Sequence, residues 1–274
     1  MDMRTFSNYK AGLAGVLLLC VLSGTGCTIK EDRISCPAYL NVSFHDRDHI
    51  AKKVCLLGFD AGELFHEEID IAEHDPYWVK AVRKGFLDLS ACMGAGHPGI
   101  ADHYVLVPVG NECDSLYAFR SRVDATGNMA YVEVVFHKQF CTVHLDLSKT
   151  EEQMQDYRFL VEGNTCGFDL LDFRPIPGAY RFGPVPVGGT GILEFRIPRQ
   201  SDDSMTIALW HRNGNGTFEE AGRLPLGRYI ACRGYDWGAE DLQDLYIAID
   251  LALGNASVSV DGWEDGIVFT LIEM

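Results

Sequence analysis

The densest cluster of chemically competent side chains in this 274-residue sequence is His45-Asp-Arg-Asp-His49, two imidazoles and two carboxylates within five positions. These are metal-donor types, but Arg47 among them would repel a cation, and the stretch reads as a polar loop between strands. A second group, His66-Glu-Glu68 with His74-Asp75, lacks the histidines at i and i+4 that put two zinc ligands on one helix face. His137 and His144 alternate with apolar neighbours, as solvent-side positions of strands do. No Gly-x-Ser-x-Gly nucleophile turn occurs. Gly188-Gly-Thr-Gly191 has neither the lysine nor the spacing of a phosphate loop, and Pro184 and Pro186 before it indicate a turn. Carboxylate pairs for glycoside hydrolysis could be drawn at will from 39 acidic residues, but no spacing brings two of them together. Tyr77, Trp78, Trp210, Tyr235 and Trp237 offer ring faces to a sugar, although such residues more often fill cores and rims. No catalytic centre, no cofactor and no metal is indicated.

Cysteine carries the strongest chemical signal. Arg4 and Lys10 precede an apolar run, Ala11 to Leu22, of 12 residues, followed by Ser23, Gly24, Thr25 and Gly26. A membrane-crossing helix needs about 20 apolar residues, so the run fits the core of a signal peptide. Leu22-Ser-Gly-Thr-Gly-Cys27 resembles a bacterial lipobox, with Gly24 where leucine is usual. It predicts cleavage after residue 26 and acylation, as by palmitate, of the Cys27 thiol. Lasting attachment requires two or more acyl chains. Lys30, Glu31 and Asp32 follow; they resemble the surface-export signal of Bacteroidota-type lipoproteins, or form a charged, solvated linker.

Removing residues 1–26 takes away Arg4, Lys10 and Asp2. That leaves 248 residues with 21 Lys plus Arg against 38 Asp plus Glu, a formal charge of −17. So acidic a surface excludes nucleic acid as a partner, which needs a basic face. Of nine cysteines, Cys20 lies in the signal and Cys27 is assigned to lipid. The other seven, Cys36, Cys55, Cys92, Cys113, Cys141, Cys166 and Cys232, stand singly, with no Cys-x-x-Cys spacing. Cys55 and Cys141 sit in apolar runs and read as small core residues.

The elements that must position these residues are short strands. Tyr39–Phe44, Lys53–Phe59, Leu64–Ile71, Ala81–Leu89 and His103–Val109 form a first series. Residues 85–89 could instead close a short helix begun near Trp78. Tyr131–Phe136 leads into Thr142–Leu147, whose Val143, Leu145 and Leu147 share one face. Then come Arg158–Val161, Phe168–Phe173, Gly191–Ile197, Met205–Trp210, Gly227–Cys232, Tyr246–Leu253 and Ala256–Val260, the last two forming a hairpin at Gly254-Asn255. Glu151 to Tyr157 reads as one helical turn, and no exact repeat is visible. The pattern predicts an all-β protein of two sandwiches. Its expected segments are a signal peptide at 1–26, a lipidated linker at 27–36, and sandwiches at 37–136 and 137–274.

Cys27-Thr-Ile-Lys-Glu-Asp-Arg-Ile-Ser-Cys-Pro-Ala-Tyr-Leu-Asn-Val-Ser-Phe44 resembles the start of the fimbrillin-A-associated anchor proteins of the FimB type. Tyr246-Ile-Ala-Ile-Asp-Leu followed by Ala256-Ser-Val-Ser-Val-Asp-Gly-Trp263 resembles their closing strands. The resemblance implies two transthyretin-like sandwiches and a non-enzymatic, lipid-anchored outer-membrane protein that faces the cell surface. It also implies fimbrial shaft subunits as partners and a role in adhesion. Many relatives carry a second cysteine soon after the Cys-Pro where this chain has Ala38, so a disulfide there is not implied. Subunits of such filaments can be joined by strand addition. Ile267, Val268, Phe269, Thr270, Leu271 and Ile272, β-prone and free of proline, form the candidate donor or edge strand, the alternative being a final strand of their own domain. Asp114-Ser-Leu116 and Asp203-Ser-Met205 resemble the Bacteroidota O-glycosylation triplet, which makes Ser115 and Ser204 candidate acceptors. A surface glycan-binding lipoprotein of a polysaccharide uptake system, using the aromatic residues, is the competing reading.

Overall fold

The computed structural model describes residues 36–45, 53–74, 76–96, 100–147, 154–186, 191–250, 255–260 and 267–270. The chain divides into a unit of residues 1–37 and a unit, Ala38–Met274, that carries the fold. Ten strands come first: β1 (Ala38–Phe44), β2 (Lys53–Phe59), β3 (Glu63–Asp70), β4 (Trp78–Val82), β5 (Phe86–Met93), β6 (Ile100–Ala101), β7 (Tyr104–Leu106), β8 (Tyr117–Asp124), β9 (Met129–Val134) and β10 (His137–Lys138). The second series is β11 (Phe140–Asp146), β12 (Tyr157–Asp169), β13 (Arg174–Phe182), β14 (Ile192–Pro198), β15 (Thr206–Arg212), β16 (Phe218–Leu224), helix α1 (Leu226–Ala231), β17 (Leu245–Asp250), β18 (Asn255–Val260) and β19 (Ile267–Thr270). The protein is therefore nearly all β, as its short alternating runs predict.

The two series repeat one strand order. In the first, β4-β1-β9 form one sheet and β10-β8-β5-β2-β3 the other; in the second, β14-β11-β17-β18-β19 form one and β16-β15-β12-β7-β6 the other, with β13 also on β12. The pairing β4-β1-β9 matches β14-β11-β17, and β8-β5-β2-β3 matches β16-β15-β12-β13. The directions agree too: β1 is antiparallel to β4 and parallel to β9, and β11 is antiparallel to β14 and parallel to β17. Each half has its own core. Leu40, Val42, Leu56, Trp78 and Leu89 fill the first, and Val143, Leu145, Phe195, Ile197 and Ile207 the second. Burying one large aliphatic side chain contributes about 1.5–3 kcal/mol, so inward-facing alternation fixes register in both halves.

Several elements depart from the sequence reading. The run 81–89 is not one strand and closes no helix: Trp78 and Val82 face inward from β4, and the chain breaks at Gly85, whose φ is +150°. Residues 158–161 and 168–173 do not start and end separate strands. Residues 158–161 and 168–169 belong to the 13-residue β12, which absorbs Gly163 and Gly167 as shifts of its register with β13, and 170–173 form the turn after it. The segment 227–232 is not a strand but most of α1, where Leu226, Gly227 and Ile230 are buried at helical spacing. A Cβ on Gly227 would lie 2.3 Å from the Asp203 carbonyl oxygen, so glycine permits the close seating of that turn.

The halves interlock. Strands β6 and β7 precede β8 in the chain, yet β7 pairs with the end of β12, Phe168 opposite Val105. Leu57, Phe59, Val105, Leu116, Phe168 and Leu170 form a third cluster between the two cores, and Ser90 Oγ donates to the Leu170 carbonyl at 2.6 Å. The insertion depends on Gly167, where a Cβ would stand 2.4 Å from the Val105 carbonyl oxygen. Backbone cannot yield there without moving β7. Gly167→Ala is therefore expected to destabilise the fold by about 1–3 kcal/mol, read as a lower urea midpoint, while Gly222→Ala, with open space at its Cβ, leaves it nearly unchanged.

Candidate functional site

The chain passes from one half to the other through a single residue. β10 ends at Lys138 on β8 and β11 begins at Phe140, leaving Gln139 between two sheets. Gln139 is 3% exposed, and its amide N–H donates to the Leu116 carbonyl at 2.9 Å. Arg199, 8% exposed, holds it in turn: the Arg199 amide donates to the Gln139 carbonyl at 3.1 Å and Arg199 Nε to Gln139 Oε1 at 2.9 Å. The remaining guanidinium nitrogens donate to the carbonyls of Trp237 and, at 3.1 Å, of Glu240. Burial pulls the Arg199 pKa below its ordinary range, against the opposing pull of Tyr235, Asp236 and Asp241.

Two carboxylates fasten the following loop to the same joint. Asp241 accepts from the Lys138 amide at 2.6 Å and pairs with His137 Nδ1 at 3.1 Å; Asp244 Oδ1 accepts from Lys138 Nζ and from the Thr142 amide, each at 2.6 Å. Burial alone would raise both pKa values, but the Lys138 hydrogen bonds, with His137 acting on Asp241 and Thr142 on Asp244, outweigh it and hold both carboxyls below the usual range.

Beside this joint lies a cleft of about 1140 Å³, lined on one side by Phe119 and Arg120 and on the other by Phe173, Pro175, Pro177 and Trp237. Asp169 in its wall accepts the amides of Leu171 and Asp172, both at 2.9 Å, and His103 stands 3.8 Å away. These pairings shape a turn and orient no nucleophile. Among the described residues no group of three or more His, Cys, Asp or Glu side chains converges as a metal site.

The sequence-predicted residues are scattered. Cys27, Lys30, Glu31, Asp32, Leu271 and Ile272 lie outside the described residues, as do Asp46 to His49. Ile267–Thr270 form β19, antiparallel to β18 and last in its sheet, Ile267 opposite Val258 and Thr270 opposite Asn255. Ser115 is half-buried before β8, whereas Ser204 is exposed with its amide donating to Asp202 Oδ1 at 2.8 Å. The five aromatic residues form no common platform: Trp78 and Tyr235 are buried, Tyr77 is exposed on the first half, and Trp210 lies in β15. His66 stands in β3, where the neighbouring Glu67 and Glu68 pair with Lys80 and Lys53. His144 is half-buried, 3.5 Å from Glu194 and stacked on Tyr246. Gln139, Arg199, Asp241 and Asp244 had no sequence signal, because their roles exist only once the halves meet.

Sheet edges carry backbone groups outside the ladders. β13, one such edge, carries Pro175 and Pro177, which withhold donors from an incoming strand. β17 is covered by β18 and then β19, whereas its counterpart β9 has no strand on its outer side among the described residues.

Tandem seven-strand patterns, each with its own core, define a β-sandwich protein. No family model and no curated protein matches the sequence. Solved structures share its fold. A candidate adhesin from Bacteroides ovatus superposes with a TM-score of 0.56 at 15% identity, over 85% of this chain and 95% of that one. A candidate polysaccharide-binding protein from Bacteroides thetaiotaomicron gives 0.59 at 14% identity, over 86% and 99%. The fimbrial anchor protein Mfa2 from Porphyromonas gingivalis gives 0.52 at 14% identity, over 83% and 98%.

The joint is testable by acid. Asp241 and Asp244 titrate lower in the folded than in the unfolded chain, where carboxyls titrate near about 4. Their contribution is complete above that value and is lost as pH falls through the depressed folded values. Asp244→Ala is expected to cost about 2 kcal/mol in urea unfolding at pH 7. The gap from wild type should close as the measurement is repeated below about pH 4.

Proposed function

We propose that this chain is a non-enzymatic outer-membrane lipoprotein, acylated at Cys27 and exposed on the cell surface, that anchors the base of a fimbrium and supports adhesion. One observation carries the reading: the fold runs across nearly the whole length of a fimbrial anchor protein and of a candidate adhesin. The lipobox-like Leu22–Cys27 and the Lys30, Glu31, Asp32 run supply the address. Residues 37–136 and 137–274 act as two transthyretin-like sandwiches in tandem, stiffened by the Gln139 joint. Fimbrial shaft subunits are the partners. They meet the chain by strand addition at the Ile267–Ile272 segment, whose described part is the last strand of its sheet among the described residues. Ser115 and Ser204 are candidate O-glycosylation sites, the exposed Ser204 being the more accessible. The glycan-uptake reading has a fold match to a candidate polysaccharide-binding protein behind it, but the dispersal of the aromatic residues gives it no ring platform.

Two experiments test this. Feeding cells a clickable fatty acid should label the wild type and not Cys27→Ala, with protease on intact cells cleaving the labelled protein; an unlabelled wild type removes the anchor. Deleting residues 267–274 should leave a folded, labelled protein that no longer co-purifies with polymerised subunits. A deletion that unfolds the chain would instead make β19 an internal strand only.

A further inference from the structure

The sheet β4-β1-β9 has an outer face that alternation should make polar but does not. In a sheet packed on one side, the solvent side is normally hydrophilic. Here the outward residues fall into rows across the three strands. Tyr39 lies opposite Ala81 and Met129, Asn41 opposite Val79 and Tyr131, and Ser43 opposite Glu133. Tyr39, Val79, Met129 and Tyr131 are between 50% and 61% exposed, and Tyr77 is 41% exposed with its ring against Tyr131. Five of the protein's large exposed apolar side chains thus share one face, a contiguity that singly scattered surface residues lack.

The face is also graded. The row of Tyr39, Ala81 and Met129 lies at the end where β1 begins, and there Arg83, next in the outward series 77, 79, 81, is exposed. Lys84 beside it donates to Asn128 Oδ1 at 3.0 Å. Neither cation makes an ion pair among the described residues. At the far end the polarity reverses: Glu133 pairs with His45 at 3.4 Å. A chain of net charge −16 therefore keeps two unpaired cations beside an apolar face.

That end is also where the acyl tether must reach. Eleven residue steps separate Cys27 from Ala38, a span of at most about 40 Å. We propose that the Tyr39–Met129–Tyr131 face, rimmed by Arg83 and Lys84, rests on the phosphate-bearing lipid surface to which Cys27 ties the chain. This rests on the lipoprotein reading above. Tyrosine suits the interface, with an apolar body for the acyl boundary and a hydroxyl for the headgroups, and the two cations match lipid phosphates. A flat sugar ring is a poorer occupant, because the Tyr77 and Tyr131 rings meet at 69° and share no plane.

The test uses the mature chain with Cys27→Ala, so that no lipid can mask the contact. It is sedimented with vesicles of phosphatidylethanolamine and phosphatidylglycerol. Binding is expected, weakening as salt is raised, and falling by about tenfold or more when Tyr39, Met129 and Tyr131 are all changed to Ser. Arg83→Glu with Lys84→Glu should lower it likewise, while Tyr246→Ser, 43% exposed on the other half, should not. No binding by the folded Cys27→Ala chain, or binding indifferent to these changes, overturns the proposal. So does a dimer in light scattering that the same substitutions dissolve, which would assign the face to a second copy. Failure of acyl labelling at Cys27 would remove the tether while leaving vesicle binding measurable, so the two ideas fail separately.

Discussion

The structure depends on one buried polar contact, the grip of Arg199 on Gln139. A chain that changes sheets across a single residue cannot keep its backbone groups in either ladder, and each must find a partner or remain buried without one. The Leu116 carbonyl accepts the Gln139 N–H, and Arg199 donates to the Gln139 carbonyl and side chain while drawing the Trp237–Glu240 loop onto the joint. A buried guanidinium is costly in isolation; here carbonyl and amide oxygens accept its hydrogens. The inserted β7 and the Leu57–Phe168 cluster then make the two halves one body. A segment of β-strand that belongs by sequence to one half and by pairing to the other leaves little room for hinge motion.

The repeated strand order explains where the molecule differs from itself. Both halves build the same seven-strand pattern, so features present in only one are the informative ones. The second half extends its sheet past β17 with β18 and β19; the first half stops at β9 and exposes tyrosine, valine and methionine on the neighbouring face. The second half thus ends its sheet on β19, while the first half carries an apolar face on β4-β1-β9. A strand edge offers main-chain hydrogen bonding, and such a face offers apolar area.

Much of the fold was legible in the sequence because inward-facing aliphatic residues recur with period two. Val143, Leu145 and Leu147 identified β11, and Lys53–Phe59 appeared with the bounds of β2. The errors have separate causes. Gly163 and Gly167 looked like a break but serve register shifts in β12, and α1 is too short for its helical spacing to outweigh a β-prone composition. Strand β13 was missed because Pro175 and Pro177 are tolerated only at an edge, and β16 because Glu219, Glu220 and Arg223 leave it little apolar pattern. The repeat was invisible because it is conserved in pairing rather than in residue identity. The joint and the apolar face share that limitation: they gather residues from 41 to 106 positions apart, and only the folded chain brings them together.

The parallel pairs β1–β9 and β11–β17 also give the protein a mechanical character. Tension entering at the start of β1 and leaving at the end of β9 acts on opposite ends of one ladder, so its evenly spaced hydrogen bonds are loaded together in shear rather than peeled one by one. β11 and β17 repeat the arrangement in series, with the Gln139 crossing between. Under steady pull the lifetime of such a fold is set by its unfolding rate rather than by its equilibrium stability. A tethered protein with this connectivity would behave as two shear clamps on one line, yielding by whole halves and not by gradual unravelling.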